Sequence, residues 1–305
     1  MLTKNTLTRL FTFCTYLGTV GVLSACAEFE EDIPIIADAP EEEVLFEKVR
    51  RCTPQQMLKA LDGDGHRHCL PKTNVKAPNG MASLQVKDNG DWLHICGAAL
   101  IKDQWAVTAA HCVDDISRRQ LNRNTFRICV GESDYRNCSG DNTAFVRQVK
   151  KHPSYRGRPL IDAGSDVAVL RLKKKMRGVR KARIGGGATR AGQSTTLFGW
   201  GDMMAGDGTV HSPFLQKLKR KAIGTRACKA QWNETANATF NGNNVVCTQT
   251  SLRFGACHGD SGGPLIKRGR LVGLVSTGDP ACAGRVPDVF VAMKGVKRWI
   301  QSATK

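Results

Sequence analysis

Three short motifs supply a serine, a histidine and an aspartate whose side chains could together perform nucleophilic catalysis. Ser261 lies in the segment Gly-Asp-Ser-Gly-Gly-Pro, His111 follows two alanines, and Asp166 precedes an apolar run. A serine hydroxyl is a poor nucleophile at neutral pH, so it needs a base such as histidine to take its proton during attack on a carbonyl carbon. An aspartate beside that histidine would hold the ring in the correct tautomer and stabilise its cation. The three motifs therefore predict a nucleophilic serine.

The glycines around Ser261 predict how the backbone could assist that chemistry. Glycine lets the chain turn sharply and leaves N–H groups pointing inward, where an oxyanion would form. We expect the N–H groups of Gly259 and Ser261 to form this oxyanion hole. One such donor commonly contributes a factor of about 10²–10³ to the rate.

The chain order of the motifs is histidine, aspartate, serine, as in the chymotrypsin-type arrangement and unlike subtilisin or the α/β-hydrolases. On these motifs the chain resembles the trypsin-like serine proteases from about residue 79 to residue 299. The resemblance implies an all-β fold of two six-stranded antiparallel β-barrels, with the active site between them and a short C-terminal helix.

The same resemblance implies a role for each site residue. His111 and Asp166 would come from the first barrel and Ser261 from the second, and Ser276 would hydrogen-bond the aspartate. The implied activity is that of a serine endopeptidase, which hydrolyses polypeptides through an acyl-enzyme intermediate. It needs no cofactor and no metal ion.

The pattern of the body agrees with this fold. From residue 81 onward, short runs of β-branched and apolar residues alternate with turn residues at regular spacing, which is typical of antiparallel barrels. Residues 296–300 are predicted to form a helix, with Trp299 and Ile300 as its packing face. The predicted strands are 81–86, 96–101, 105–108, 126–130, 144–149, 167–172, 195–198, 216–223, 245–247, 264–267, 271–276 and 289–293.

The residues expected to bind the substrate side chain differ from the trypsin pattern. Trypsin has an aspartate six residues before its catalytic serine, where it binds Lys or Arg, and this chain has Gly255 there. Asp288, in contrast, occupies a position where trypsin-like chains commonly have glycine, on the pocket wall that includes Ser276 and Gly278. A buried carboxylate without a partner is costly, so Asp288 is expected to favour a cationic side chain and cleavage after Lys or Arg. Pairing of Asp288 with Arg285 or Lys267 is the alternative, which would leave an apolar or acid-tolerant pocket.

A second alternative concerns activity itself. Typical members of the family begin, after activation cleavage, with Ile-Val-Gly-Gly, and the new ammonium group pairs with the aspartate before the catalytic serine. Residues 67–72 of this chain read Arg-His-Cys-Leu-Pro-Lys, so Asp260 needs another cationic partner or activation differs. Thr277 also replaces the usual tryptophan. A latent protein, or a non-enzymatic binding module on the cell surface that reuses the fold, therefore remains open.

The chain has 12 cysteines, far more than a reducing compartment usually leaves unpaired in an enzyme. Of the cysteines outside the pairs implied by the resemblance, Cys129 and Cys138 would form a disulfide that closes a loop specific to this chain. Cys52 and Cys69 then remain as a further pair. A zinc site formed by that pair with His66 and His68 is the alternative, but an oxidising compartment favours the disulfide. The pairs implied by the resemblance are Cys96–Cys112, Cys228–Cys247 and Cys257–Cys282.

The N-terminal region predicts export and a membrane anchor. Residues 1–26 begin with basic residues, continue with an apolar run and end in Leu-Ser-Ala-Cys, which resembles a bacterial lipoprotein signal peptide with Cys26 as the lipidated residue. The alternative is an ordinary signal peptide in which Cys26 is incidental. We expect a protein anchored to a bacterial membrane, at the outer membrane or the periplasmic face, or secreted after release. Residues 27–47 would form an acidic tether, residues 48–76 a pro-region or disulfide-linked segment, and residues 77–305 the protease domain.

Charge is distributed unevenly along the chain. The formal net charge is +18, although residues 27–47 contain nine acidic residues and no basic one. Basic residues cluster in residues 171–183 and 217–221, which favours attraction to an anionic surface such as lipopolysaccharide, phospholipid or an acidic protein. Aromatic residues are not interleaved with the basic ones, so no binding to nucleic acid is expected.

Overall fold

The computed structural model describes residues 6–13, 27–34, 75–202, 212–249, 255–282 and 284–305, and the chain divides into two units, 1–51 and 52–305. In the first unit, β1 (Thr6–Phe13) and β2 (Ala27–Pro34) pair in an antiparallel two-stranded sheet. The charge-rich composition of the predicted tether did not suggest a paired strand.

The first barrel of the second unit is closed and antiparallel, with the strand order β3-β4-β5-β8-β7-β6. Its interior is filled by aliphatic side chains such as Leu84, Leu100, Ile128 and Leu170, all fully buried. Burying one such side chain contributes about 1.5–3 kcal/mol. The strands are β3 (Met81–Asp88), β4 (Asp91–Lys102), β5 (Trp105–Thr108), β6 (Phe126–Val130), β7 (Thr143–Lys151) and β8 (Ala168–Leu172).

The second barrel is also closed and antiparallel, with the order β9-β10-β11-β14-β13-β12. Leu197, Leu265, Val275 and Phe290 are among the buried side chains of its core. The strands are β9 (Ser194–Gly199), β10 (Gln216–Ile223), β11 (Val245–Thr248), β12 (Pro264–Lys267), β13 (Arg270–Thr277) and β14 (Val289–Ala292). The prediction of two six-stranded antiparallel barrels is confirmed.

Three α-helices accompany the barrels in the described residues: α1 (Arg118–Asn122), α2 (Thr225–Ala236) and α3 (Met293–Ala303). The C-terminal helix α3 is longer than predicted, and its buried residues are Met293, Val296 and Ile300. Trp299, predicted to share this face, is only partly buried and packs edge-on against His152, with ring centroids 4.9 Å apart.

No helix in the described part of the chain is both long enough and apolar enough to cross a membrane.

The described residues contain four disulfides, and they join the pairs that the sequence analysis names for this region. Cys96–Cys112 fastens β4 to the residue that follows His111, and Cys257–Cys282 links the two sides of the expected substrate pocket. Cys52 and Cys69, with the zinc alternative at His66 and His68, lie outside the described residues. The four bonds are Cys96–Cys112, Cys129–Cys138, Cys228–Cys247 and Cys257–Cys282.

Candidate active site

His111 and Asp166 meet because their strands are paired. His111 lies just beyond the end of β5, Asp166 lies just before β8, and these strands run antiparallel with Thr108 opposite Ala168. His111 Nδ1 lies 2.7 Å from Asp166 Oδ2, and the backbone N–H of His111 donates to Asp166 Oδ1 at 2.9 Å. The carboxylate therefore fixes both the imidazole ring and the backbone that carries it.

A third donor reaches the same carboxylate from the other barrel. Ser276, near the end of β13, donates its hydroxyl proton to Asp166 Oδ2 at 2.7 Å, and both residues are buried. The Ser276 hydroxyl also lies 3.3 Å from the carbonyl oxygen of Pro159. Asp166 thus accepts three hydrogen bonds and links the two barrels directly beside His111.

The turn that contains Ser261 rests on the strands that precede His111. The N–H of Gly97 donates to the carbonyl oxygen of Ser261 at 2.8 Å. A Cβ on Gly262 would lie 2.2 Å from Thr108 Oγ1 and 2.8 Å from the backbone nitrogen of Ala109. Gly262 also has a φ of +73°, so both its backbone conformation and its close contact require glycine. The structure therefore brings Ser261 to the His111 side of the first barrel.

The Ser261 hydroxyl makes no hydrogen bond to His111 in the described residues at a distance of 3.5 Å or less. Hydrogen bonds between a nucleophile and its base are often long in a protein without substrate and shorten when substrate binds. The geometry is thus that of a tightly held His111–Asp166 pair with a serine turn packed beside it.

Two N–H groups of the serine turn have no acceptor within the described part of the chain. These are the backbone N–H groups of Gly259 and Ser261, whereas Asp260 N–H donates to the carbonyl of Cys257 at 3.0 Å. Gly259 has a φ of +93°, a conformation that glycine adopts without strain. Unpaired N–H groups at one turn form a binding site for a negatively charged oxygen.

His94 is a site residue that the sequence analysis missed. Its Nε2 donates to the carbonyl oxygen of Gly259 at 3.0 Å, which leaves Nδ1 to accept from the Ser83 hydroxyl at 2.7 Å. The ring stacks on Tyr135 and lies edge-on to Trp200. His94 therefore holds the peptide group between Gly259 and Asp260 in place. No local sequence pattern marks this histidine, because its contacts come from residues distant along the chain.

Asp260 is enclosed by backbone. Its carboxylate accepts hydrogen bonds from the N–H groups of Gly201, at 2.8 Å, and Cys257, at 3.0 Å. A Cβ on Gly199 or Gly201 would lie within 2.4 Å of a carboxylate atom. Only glycine at these two positions leaves room for the carboxylate, and Asp260 in turn fixes the residue that precedes Ser261.

Asp288 lies between the two walls of the expected substrate pocket. Its Oδ1 accepts a hydrogen bond from the N–H of Ala256 at 3.0 Å, and the Thr248 hydroxyl lies 3.5 Å from Oδ2. A Cβ on Gly278 would lie 2.8 Å from Oδ1, and a Cβ on Gly255 would lie 3.1 Å from it. The glycines of both walls therefore leave space beside one buried carboxylate.

The charge state of Asp288 is set mainly by its burial. Burial raises the pKa of Asp288 to about 7, against opposing effects of the Ala256 N–H and the positive charge of Arg220. The negative charge of Asp260 adds to the rise. The carboxylate thus changes charge near neutral pH, where a cationic ligand would favour the ionised form.

The alternative partners for Asp288 are occupied elsewhere. Arg285 binds Asp279 through two hydrogen bonds of 2.9 Å from Nε and Nη2, and this lowers the pKa of Asp279 to about 2. Lys267 donates to the carbonyl oxygen of Ala188 and to the side chain of Gln193. The alternative in which Arg285 or Lys267 pairs with Asp288 is therefore not the arrangement in the structure.

One group of metal-ligating residue types occurs beside the catalytic candidates. Side-chain atoms of Cys96, His111 and Cys112 lie within 4.8 Å of one another. The two sulfurs are joined in a disulfide, so they are not available as thiolate ligands. The group is not a metal site.

Two closed six-stranded barrels, with a serine turn of one resting on the histidine side of the other, define the class of chymotrypsin-type folds. A family model described as Trypsin matches residues 72–300, and the chain belongs to this family.

The relatives support the same assignment. A chymotrypsin-like serine proteinase of Haliotis rufescens is 30% identical over 226 residues, which cover 72% of this chain and 84% of that protein. A trypsin of Sarcophaga bullata is 28% identical over 236 residues, which cover 76% and 87%. The solved structure of mouse neuropsin, a serine protease, has a TM-score of 0.62 at 23% identity and covers 75% of this chain and 95% of neuropsin. At that identity the neuropsin structure supports the fold alone.

Proposed function

We propose that this protein is a serine endopeptidase with Ser261 as nucleophile, His111 as general base and Asp166 as the residue that orients His111. The observation that carries the proposal is the Asp166 carboxylate, which accepts hydrogen bonds from His111 Nδ1, His111 N–H and the Ser276 hydroxyl. With Nδ1 held by Asp166, the neutral ring presents Nε2 as its basic atom. Family membership supports hydrolysis of polypeptides.

In the proposed reaction, Ser261 Oγ attacks the substrate carbonyl carbon while His111 Nε2 takes the hydroxyl proton. The carbonyl oxygen becomes negatively charged and accepts hydrogen bonds from the N–H groups of Gly259 and Ser261. His111 then gives the proton to the leaving amine, and the peptide bond breaks to leave an acyl group on Ser261. His111 then deprotonates a water molecule, which attacks the acyl carbon. His111 returns the proton to Ser261 Oγ as the bond between that oxygen and the acyl carbon breaks, and the acid product leaves.

Replacement of the proposed nucleophile tests this assignment. Ser261→Ala should lower the rate of peptide cleavage by about 10⁴-fold or more, because the three residues act as a unit. Ser302→Ala, at an exposed position of the C-terminal helix α3, serves as the control. Undiminished cleavage by purified Ser261→Ala protein would exclude Ser261 as the nucleophile, whereas no cleavage by the unaltered protein would favour the latent protein or binding module.

We propose cleavage after Lys or Arg, with Asp288 as the residue that selects the side chain. The support is the buried carboxylate between Gly255 and Gly278, with neither Arg285 nor Lys267 paired to it. The relatives include proteins named trypsin and chymotrypsin-like, so family membership leaves the specificity open. Compared with trypsin, this chain carries the acidic residue on the opposite wall of the pocket. The position at which arginine could form two hydrogen bonds with the carboxylate therefore also differs.

Profiling on a peptide library would test the specificity. We expect Lys and Arg before the cleaved bond, and we expect Asp288→Gly to lose this preference while it still cleaves other sequences slowly. A preference of the unaltered protein for Phe, Leu or Glu would contradict the proposal. An unchanged basic preference in Asp288→Gly would do the same.

The N-terminal region supports a proposal about location. We infer that residues 1–26 direct export, that Cys26 is lipidated, and that the protein is held on a membrane surface through the acidic residues that follow. The support is the apolar run that ends in Leu-Ser-Ala-Cys, and the even number of cysteines that remain when Cys14 and Cys26 are set aside. Several acyl chains on one cysteine would anchor the protein stably, whereas one chain gives marginal binding.

A further inference from the structure

A concave groove of about 570 Å³ lies outside the proposed active site. It is formed where the segment that connects the two barrels passes between β4 and the C-terminal helix α3. Arg180 and Arg183 come from the connecting segment, Lys297 comes from α3, and Lys102 comes from the end of β4. Its volume is within the range of about 300–1,000 Å³ that is usual for ligand sites.

Cations dominate the rim of this groove, and no acidic residue lines it in the described chain. Lys102 donates to the carbonyl oxygen of Thr304, and Lys181, which also lines the groove, pairs with Asp103. In contrast, the side chains of Arg180, Arg183 and Lys297 form no ion pair or hydrogen bond with any described residue. Three cations that have no partner among the described residues thus face one concave surface.

Beneath these cations the groove is apolar. Ile101, Ile184 and Ile300 line it, and Ile300 is fully buried in the core cluster that α3 shares with both barrels. An anion with an adjacent apolar portion would contact the cations and this floor together. None of the described residues that line the groove is aromatic, so they offer no surface on which nucleic-acid bases could stack.

The positive surface extends beyond the groove along the same connecting segment. Lys173, Lys175 and Arg177 are exposed. The pKa of Asp103 is lowered chiefly by its hydrogen bond to Lys181, and the charges of Arg177 and Lys175 contribute to the same lowering. These cations therefore lie around the Lys181–Asp103 pair at the margin of the groove. A wide cationic face around one apolar groove fits an extended surface of phosphate groups better than a single small anion.

We propose that this groove docks the protein on an anionic phospholipid surface, with a lipid phosphate held by Arg180, Arg183 and Lys297 and the adjoining part of the lipid against the isoleucines. Guanidinium groups bind phosphate oxygens in pairs, which suits the two arginines to this role. Each basic residue near an anionic membrane contributes roughly a fivefold increase in affinity. The proposal is independent of the catalytic assignment, because it involves none of the same residues.

Vesicle co-sedimentation would test the proposal with the chain from residue 26 onward, carrying Cys26→Ser, so that neither the apolar leader nor a lipid anchor contributes. The protein with an unaltered groove should bind vesicles of phosphatidylcholine and phosphatidylglycerol mixed two to one, and should not bind vesicles of phosphatidylcholine alone. Arg180→Gln/Arg183→Gln/Lys297→Gln should lower the affinity on the order of 100-fold. A matched control, Lys87→Gln/Arg118→Gln/Arg226→Gln, removes the same charge from exposed side chains outside the groove and outside both basic clusters, and should bind nearly as the parent chain.

Equal losses in the two triple variants would show general charge attraction and would overturn the docking site. Calorimetry with inorganic phosphate and with a polyglutamate peptide separates other sources of the same charge. Tight binding of either one that depends on the groove arginines, without binding to anionic vesicles, would also overturn the proposal. Unchanged thermal melting of both triple variants confirms that each is folded.

Discussion

At the scale of single residues, Asp288 links substrate preference to pH. Because burial raises its pKa to about 7, this carboxylate is largely neutral below neutral pH in the free protein. A lysine or arginine side chain of the substrate requires the ionised form. The ratio of kcat/KM for a lysine substrate to that for a neutral substrate should therefore fall by roughly tenfold for each pH unit below about 7.

The ratio is the useful measurement because any effect of pH on the catalytic residues that both substrates share cancels from it. Asp288→Asn has no titrating group at this position, so its ratio should be low and nearly independent of pH. A ratio in the unaltered protein that stays constant from about pH 5 to about pH 8 would show that Asp288 does not bind the cationic side chain.

Ser276 is the second residue whose role can be measured in isolation. Ser276→Ala removes one of the three donors to Asp166, and a hydrogen bond to a charged group typically contributes about 1.5–3 kcal/mol. We expect kcat to fall on the order of 10-fold or more, with little change in KM. Ser165→Ala is the matched control, because its hydroxyl donates to the carbonyl of Asp162 and not to Asp166. Equal effects of the two replacements would remove Ser276 from the catalytic account.

At the scale of elements, the contact between β4 and the serine turn depends on glycine. A Cβ on Gly97 would lie 2.5 Å from the Cα of Gly263, and neither backbone can move without shifting its strand. Gly97→Ala should lower the stability by roughly 1–3 kcal/mol or more, which is about 2–4 °C in Tm per kcal/mol for a domain of this size. It should also lower activity, because the turn that carries Ser261 is displaced.

Gly187→Ala is the control for this experiment, since a Cβ there would meet nothing within 4 Å. Thermal melting and peptide cleavage would be measured on both variants. A Gly97→Ala protein with the melting temperature and activity of the parent would show that the close approach of β4 and the serine turn is not required.

The elements also show what a sequence pattern reveals and what it leaves out. The strands were predictable because short runs of β-branched and apolar residues are separated by turn residues, and β5, β6, β10 and β12 begin and end where this pattern placed them. The helix α2 was not predicted, since Cys228 and Trp232 are its only buried residues and give too little periodicity. Yet Trp232 donates its indole N–H to the carbonyl of Pro287, directly before Asp288.

The candidate site divides in the same way. His111, Asp166 and Ser261 lie in short motifs that can be recognised without a structure, because the chemistry constrains their immediate neighbours. His94 and the glycines around Asp260 act through contacts between distant parts of the chain, which no local pattern records. The sequence alone left open whether Arg285 pairs with Asp288. The structure decides this question, because Arg285 forms its hydrogen bonds with Asp279.

At the scale of the whole molecule, each barrel supplies only part of the proposed catalytic site. Asp166 of the first barrel is bound by Ser276 of the second, and Ser261 of the second is bound by Gly97 of the first. The arrangement of the barrels therefore determines the geometry of the site. The groove proposed to dock on phospholipid likewise combines the connecting segment with the C-terminal helix α3, and neither segment forms it alone.

The proposed anchor is a property of the whole molecule that mass spectrometry can measure. The N-terminal peptide of the mature protein should begin at Cys26 and should carry the mass of a diacylglyceryl group. Cys26→Ser should abolish the modification and release the protein from membranes, whereas Cys14→Ser should leave both unchanged. An unmodified Cys26, or a mature protein that begins elsewhere, would exclude the anchor.

The most direct test of the central claim is labelling of the intact protein with a fluorophosphonate probe, which reacts with an activated serine. We predict one adduct per chain, mapped to Ser261, and a labelling rate lowered by at least about 10³-fold in His111→Ala. Correctly folded protein that takes up no label, or takes it up at another serine, would contradict the assignment of Ser261, His111 and Asp166 as the catalytic residues.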